Sequence, residues 1–303
     1  MGVGDLASGA WRENGIGGKG GHVSEFRAGS TPDALLGIAV RVARDAAATA
    51  RRMRAEAITD VATKSTDTDV VTAADTAVER QVVEALRAER PGDAVLGEEY
   101  GDSTAELPPA GGSAAPGAVR WVLDPIDGTV NYLYGLPQYA VSLAAEVDGT
   151  AVAGVVINAA TGEEWTATRG GGAWRDGRRL APSARTRLDQ ALVGTGFGYD
   201  AKRRAHQGAV LAQLITRVRD IRRFGAAALD LCAVAEGTLD AYFEKGLNPW
   251  DHAAGGLIAA EAGATVAGLN GAPPGLEMVV AAPPAIFGPL HDALAELDAA
   301  GGP

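Results

Sequence analysis

Cysteine is nearly missing from this chain: Cys232 is the only one in 303 residues. A single thiol excludes an internal disulfide and any cysteine cage for a metal. It lies in the apolar run Leu229-Asp230-Leu231-Cys232-Ala233-Val234, which argues for a buried packing residue and not a nucleophile. Histidine is scarce as well, and the four present form no cluster with metal-ligand spacing. Positive charge is in deficit, with 27 Lys and Arg against 38 Asp and Glu and a formal net charge of −11. That balance disfavours a general nucleic-acid or anionic-membrane surface, both of which need an excess of Lys and Arg. No stretch approaches the ~18 to 20 apolar residues of a membrane span. The first thirty residues are Gly-rich and lack an apolar signal core, so residues 1–30 read as a disordered leader. A cytoplasmic setting is the expectation. No internal repeat is visible.

Hydrophobic residues, in contrast, make up 47% of the chain, enough for a substantial core. Thr31-Pro32-Asp33 has the form of a helix start, and Leu35, Ile38, Ala39, Val42 and Ala46 recur at helical spacing to about Glu56. A polar connector from Lys64 to Asp75 enters a second helix whose buried side is Val78, Val82, Val83 and Leu86. Asp75 falls early in that helix on this reading, where capping or the helix dipole would explain it. Ala94-Val95-Leu96 is a short strand leading to Gly97-Glu98-Glu99, and residues 102 to 118 are a Pro-, Gly- and Ser-rich loop.

The organising stretch is Trp121-Val122-Leu123-Asp124-Pro125-Ile126-Asp127-Gly128-Thr129. Its apolar start reads as a buried strand that ends in a Pro- and Gly-marked turn. Two carboxylates three residues apart beside such a strand are costly to desolvate and repel each other. A divalent cation between them is the simplest remedy. Gly128 and Thr129 follow at once, and a turn there can aim backbone N–H groups at an anion. Asp-Gly is also an ordinary turn dipeptide, so this segment alone leaves a plain turn open.

Beyond it the pattern changes to a meander with strands at Tyr139–Val147, Ala151–Ile157 and Glu164–Thr168, and hairpin turns at Asp148-Gly149 and Asp176-Gly177. From about Leu188 strands and helices alternate: strands at Leu192–Gly194, Leu239–Phe243 and Met278–Ala281, helices at Arg204–Val218, Gly225–Glu236, Asp251–Ala262 and Pro284–Leu297. Two halves follow, 31–185 with an antiparallel sheet and 186–298 of α/β type, meeting near 180 to 188. Asp251 sits where a small-residue helix begins, so a helix cap is its bland explanation. Ala253, Ala254, Gly255 and Gly256 allow another element to approach closely, and His252 reads as a packing or orienting residue.

Taken together, Gly97-Glu98-Glu99, Asp124-Pro125-Ile126-Asp127-Gly128-Thr129-Val130-Asn131-Tyr132 and Trp250-Asp251-His252-Ala253-Ala254-Gly255 resemble the inositol monophosphatase family, in order and in spacing. Lys64-Ser65 through Thr72 and Asp75 resemble its N-terminal element. Tyr132-Leu133-Tyr134-Gly135-Leu136-Pro137 and Gly194-Thr195-Gly196-Phe197 look more like its bacterial members than like histidinol-phosphatase or bisphosphate-nucleotidase relatives. The resemblance covers roughly residues 31 to 298. It implies an α/β (α+β) chain with a layered α-β-α-β-α sugar-phosphatase fold, a homodimer, Mg²⁺ as cofactor at two or three per subunit, and inhibition by lithium. It implies Glu98, Asp124, the Ile126 carbonyl, Asp127 and Asp251 as metal ligands, with Asp69 and Asp75 supporting a further, weaker metal site. Glu98, Thr129 and Asp75 would act on the water. Asp127, Gly128, Thr129, Gly225, Ala226, Ala227, Glu244 and Asp251 would meet the substrate, an inositol 1-phosphate or related polyol monophosphate. Histidinol phosphate, a 3′(2′),5′-bisphosphate nucleotide or fructose 1,6-bisphosphate remain alternatives, as does a non-catalytic partnership with the transcription machinery. Direct nucleic-acid binding and a membrane are not expected.

Overall fold

The computed structural model describes residues 30–60, 67–102 and 117–302. The leader and most of the 102 to 118 loop lie outside the described residues. Two long helices come first, α1 (Pro32–Asp60) and α2 (Asp67–Glu89). Strands β1 (Ala94–Gly97), β2 (Gly101–Asp102) and β3 (Val119–Asp127) precede a short helix, α3 (Thr129–Tyr134). A meander follows, with β4 (Ala140–Val147), β5 (Thr150–Asn158), β6 (Glu164–Thr168), β7 (Gly172–Arg175) and β8 (Arg178–Arg179). The chain then alternates through β9 (Leu192–Thr195), α4 (Ala201–Leu214), β10 (Asp220–Arg222), α5 (Ala227–Glu236) and β11 (Ala241–Glu244). It closes with α6 (Pro249–Ala262), β12 (Thr265–Ala267), β13 (Val279–Ala282) and α7 (Pro284–Glu296).

The eight-stranded sheet runs β2-β1-β3-β4-β5-β6-β7-β8 and the five-stranded sheet runs β10-β9-β11-β13-β12. In the larger sheet only β1 and β3 are parallel. In the smaller, β9 is parallel to both β10 and β11. The hairpin turns at Asp148-Gly149 and Asp176-Gly177 have positive φ at both central residues, the twist that two-residue hairpins require.

Three apolar clusters arrange these elements in five layers. Leu35, Val42 and Ala46 of α1 and Val78, Val82 and Leu86 of α2 pack on one face of the larger sheet against Trp121 and Leu123. On its other face Val122, Ala144 and Val156 meet α5 and α6, whose far sides carry Tyr242, Val279 and Ala281 of the smaller sheet. Val210, Leu214, Ile286, Leu290 and Leu294, from α4 and α7, cover that sheet's outer face. The layered α-β-α-β-α order is as expected. The middle layer is apolar on both sides, so its helices show weak amphipathic character in sequence and are small-residue rich.

Close approach in this layer depends on glycine. A Cβ on Gly255 of α6 would lie 3.0 Å from the Ala228 carbonyl and 3.0 Å from Leu231 Cβ of α5. Gly255→Val is expected to destabilise the protein by about 1–3 kcal/mol through overpacking, read as a lower urea midpoint at unchanged slope. A midpoint equal to wild type would show that α5 and α6 have slack between them.

Two local expectations need correction. The helix carrying Asp75 begins at Asp67, so Asp75 lies more than two turns inside it and is not a terminal residue. At α6 the N-cap is Asn248, with Pro249 next and Asp251 at the third helical position. Asp251 is the reciprocal half of a capping box: its Oδ2 accepts the Asn248 backbone N–H at 2.6 Å. Strands β2, β7, β8, β10 and β12 and helix α3 were not foreseen; each has only two to six residues, too few for a hydrophobic period to show.

Candidate active site

Five stretches of the chain, at 98, 124–129, 197–203, 223–227 and 244–251, line one cavity of about 290 Å³ between the layers. It is bordered by Glu98 after β1, by Asp124, Ile126 and Asp127 of β3, by Gly128 and Thr129 at the start of α3, by Gly225 and Ala227 at the start of α5, by Glu244 at the end of β11, and by Asp251 of α6. A larger cleft of about 500 Å³ between α1 and the β5–β6 turn has no such cluster, and its Glu164 is paired with Arg44.

Strand β3 explains how Asp124 and Asp127 reach the same place. Side chains alternate across a strand, so residues three apart should face opposite ways. Trp121 and Leu123 do face α1 and α2, and Val122 faces the middle layer with Asp124. Pairing with β4 then slips between Asp124 and Asp127, and Ile126 turns back toward the α1–α2 core. The irregularity flips the alternation and delivers Asp127 to the side of Asp124. The strand therefore runs through Asp127 instead of ending in a turn before it.

Asp127 crosses to the middle layer. Its Oδ1 and Oδ2 accept the backbone N–H groups of Ala227 (3.2 Å) and Ala228 (2.7 Å), the first residues of α5. Ala226, at the N-cap, has no side chain able to do this. A carboxylate from another sheet thus caps α5 and ties both halves of the cavity. Gly128 has φ +91°, and a Cβ there would approach the Gln138 carbonyl to 2.8 Å, so glycine is required where the chain leaves β3. Asn131 then clamps two loops by donating to the Gln138 (2.8 Å) and Phe224 (2.7 Å) carbonyls.

Glu98 is held by a residue the sequence reading missed, Glu79. It is fully buried on the inner side of α2 and accepts the backbone N–H groups of Glu99 (2.9 Å) and Tyr100 (3.0 Å). Any Cβ at Gly97 would overlap the Glu79 carboxylate, which accounts for glycine before the paired glutamates. The available signal was an acid one residue from Val78 on a helix face that is otherwise apolar.

Burial dominates the electrostatics. It pushes Asp124 and Asp127 well above the usual carboxylate range, with Glu98 and Asp251 adding repulsion, while the α5 amides pull Asp127 back. Glu98 is raised to about 7 and Asp251 to about 6, again mainly by burial. Asp124 borders the same cavity as both. Asp75, behind the cavity in α2, is raised to about 8 by burial and then by Glu98, Glu99 and Glu79. His252 is lowered to about 4 by burial and stays neutral, consistent with a packing role. The buried Cys232 thiol is pushed up and has no nucleophilic character.

Asp124 Oδ1 and Asp75 Oδ1 are buried with no hydrogen-bond partner among the described residues. Orphaned carboxylate oxygens of this kind are rare unless something else satisfies them. Among the described residues no three carboxylate, imidazole or thiol groups are yet closed around one point as a metal would hold them. The donors are nevertheless all hard oxygens, converging from the end of β1, from β3 and from α6, and that set suits a hard divalent cation. Other expected members stand apart. Asp69 falls in the first turn of α2, but its side chain lies outside the described residues, as do Lys64 and Ser65. Ala226 is buried behind the lining. Thr129 lines the cavity, and no hydrogen bond joins it to Asp75 among the described residues.

The comparisons with known proteins agree with this geometry. The model of the inositol monophosphatase family matches residues 31–299. An inositol-1-monophosphatase of Mycobacterium leprae is 49% identical over 278 residues, covering 87% of this chain and 94% of the relative. A Nus factor SuhB of Pseudomonas aeruginosa is 40% identical over 241 residues, covering 78% of this chain and 86% of the relative. The solved structure of Mycobacterium tuberculosis SuhB superposes with a TM-score of 0.75 at 43% identity, covering 90% of this chain and all of that one. A carboxylate-lined cavity of this build, in a chain matched along nearly its whole folded length, places the protein in the inositol monophosphatase family.

Proposed function

We propose that the protein is a Mg²⁺-dependent phosphomonoesterase that hydrolyses inositol 1-phosphate, or a related polyol monophosphate, to the alcohol and phosphate. The observation that carries this is the convergence of Glu98, Asp124, Asp127 and Asp251 on one cavity, with a buried Asp124 oxygen left unpartnered. Glu98, Asp124, the Ile126 carbonyl, Asp127 and Asp251 would hold the cations, with Asp75 and Asp69 at a weaker further site. When bound, the ions neutralise the phosphate dianion, lower the pKa of a water and offset charge on the leaving oxygen.

The chain's own groups do the rest. Gly128 and Thr129 present backbone N–H groups at the start of α3 to the phosphate oxygens. Glu98 orients the attacking water and accepts its proton, as a carboxylate within reach of it can. Thr129 holds the water from the other side. The attack is in line and direct, since no serine, cysteine or histidine lines the cavity among the described residues. Glu244, with Gly225 and Ala227, meets the alcohol. The same reading carries a homodimer, a cytoplasmic setting and lithium inhibition.

Phosphate release from inositol 1-phosphate should require Mg²⁺ after chelation, and Glu98→Gln should lower kcat by roughly 10²–10⁴-fold. Undiminished hydrolysis by the chelated wild type would defeat the proposal. A panel including histidinol phosphate, a 3′(2′),5′-bisphosphate nucleotide and fructose 1,6-bisphosphate ranks the substrates. The Pseudomonas relative's name supports a second reading, a non-catalytic partner role. Rescue of a deletion phenotype by the Asp124→Asn protein would favour it.

A further inference from the structure

Glu244 is seated unusually tightly for a residue that faces a cavity. Tyr242, fully buried in β11, donates its hydroxyl to Glu244 Oε2 at 2.5 Å. The two residues are two apart in one strand, so their side chains share a face. Across from the phenol lies Gly196, just past β9, where any Cβ would overlap the Glu244 carboxylate. The carboxylate is therefore packed between a phenol and bare backbone. One oxygen is committed to Tyr242, and among the described residues no donor is bonded to the other, which borders the cavity.

We propose that Tyr242, with the space left by Gly196, is a positioning residue: it fixes Glu244 so that one carboxylate oxygen selects substrates by a hydroxyl of the alcohol part. This rests on the reading that Glu244 meets the alcohol part of the substrate, and it narrows that reading to a class. Polyol phosphates are favoured; aryl phosphates, which have no alcohol hydroxyl, gain nothing from the arrangement. A hydroxyl bonded to a carboxylate is a charge-assisted contact whose strength depends on aim, and a carboxylate free to rotate would lose it.

The test measures kcat and KM of the full chain with Mg²⁺ on inositol 1-phosphate and on p-nitrophenyl phosphate. Tyr242→Phe and Gly196→Ala should each lower the ratio of kcat/KM values, inositol 1-phosphate over p-nitrophenyl phosphate, by about tenfold. Most of that change should appear in KM for inositol 1-phosphate. In a Glu244→Gln background Tyr242→Phe should add less than about twofold, because its effect passes through Glu244. An unchanged ratio in Tyr242→Phe, equal losses on both substrates, or a full tenfold effect added to Glu244→Gln would each overturn the assignment. Tyr242→Phe removes only one oxygen, so it separates aim from folding if Gly196→Ala fails to fold. A wild type that hydrolyses neither substrate would overturn the phosphatase reading, and this one with it.

Discussion

Asp124→Asn lowers kcat/KM for inositol 1-phosphate by at least about 10³-fold, a loss of about 4 kcal/mol in transition-state stabilisation. The side chain is buried in β3, borders one cavity with Glu98 and Asp251, and carries an oxygen with no hydrogen-bond partner among the described residues. Asparagine keeps the shape and removes the charge, so cations are held less well and the carboxylate bed loses its centre. The same change eases the folded protein. Burial and four neighbouring acids oppose ionisation of Asp124, and an amide carries no such cost. Without metal at pH 8 the variant should therefore melt at or above the wild-type temperature while being inactive. Phosphate release and a thermal melt of the same sample test both signs. Activity within tenfold of wild type would remove Asp124 from the mechanism.

The second large effect is on stability. The metal-free protein should lose stability as pH rises from about 5 to 8, the reverse of ordinary acid unfolding. The folded protein holds Asp251 at about 6, Glu98 and Glu244 at about 7 and Asp75 at about 8, against roughly 4 for free carboxyls. Between those limits the folded state binds more protons than the unfolded chain, so unfolding free energy decreases with rising pH. The favourable contribution is complete below about 4, declines through 6 to 8, and is gone above the Asp75 value. A loss of a few kcal/mol, on the order of 5–10 °C in melting temperature, is the expected size. Saturating Mg²⁺ should reverse the trend at pH 8, since binding at a hundred times Kd contributes about 2.7 kcal/mol. A chelated sample that melts higher at pH 8 than at pH 5.5, or no response to Mg²⁺, would contradict the account of a cluster short of cations.

Both predictions follow from charge held where burial alone would forbid it. Gly97, Gly128 and Gly196 show the same economy on a smaller scale: each leaves out a side chain so that a carboxylate or carbonyl can occupy the space. Substituting them is a change to the site as much as to the backbone.

Much of this was readable in the chain. The period of α1 and α2 and the alternation of the meander appear in the order of apolar residues, because each element buries one face against a single neighbour. Glu98, Asp124, Asp127, Thr129, Glu244 and Asp251 were identifiable by type and by motif, and charge with composition disfavoured a nucleic-acid surface. Other features needed tertiary structure. Glu79 holds the Glu98 turn across twenty residues, and Tyr242 bonds to a Glu244 carboxylate that fits only because Gly196 has no side chain. Asp251 serves a capping box and Asp127 caps a helix a hundred residues away. The β3 irregularity that turns Asp127 toward Asp124 depends on pairing with β4. Local order determines which residues are present and which elements they form. Which carboxylates share a cavity, and how far their affinity for protons rises there, depends on desolvation and distance, and those exist only once the five layers have packed.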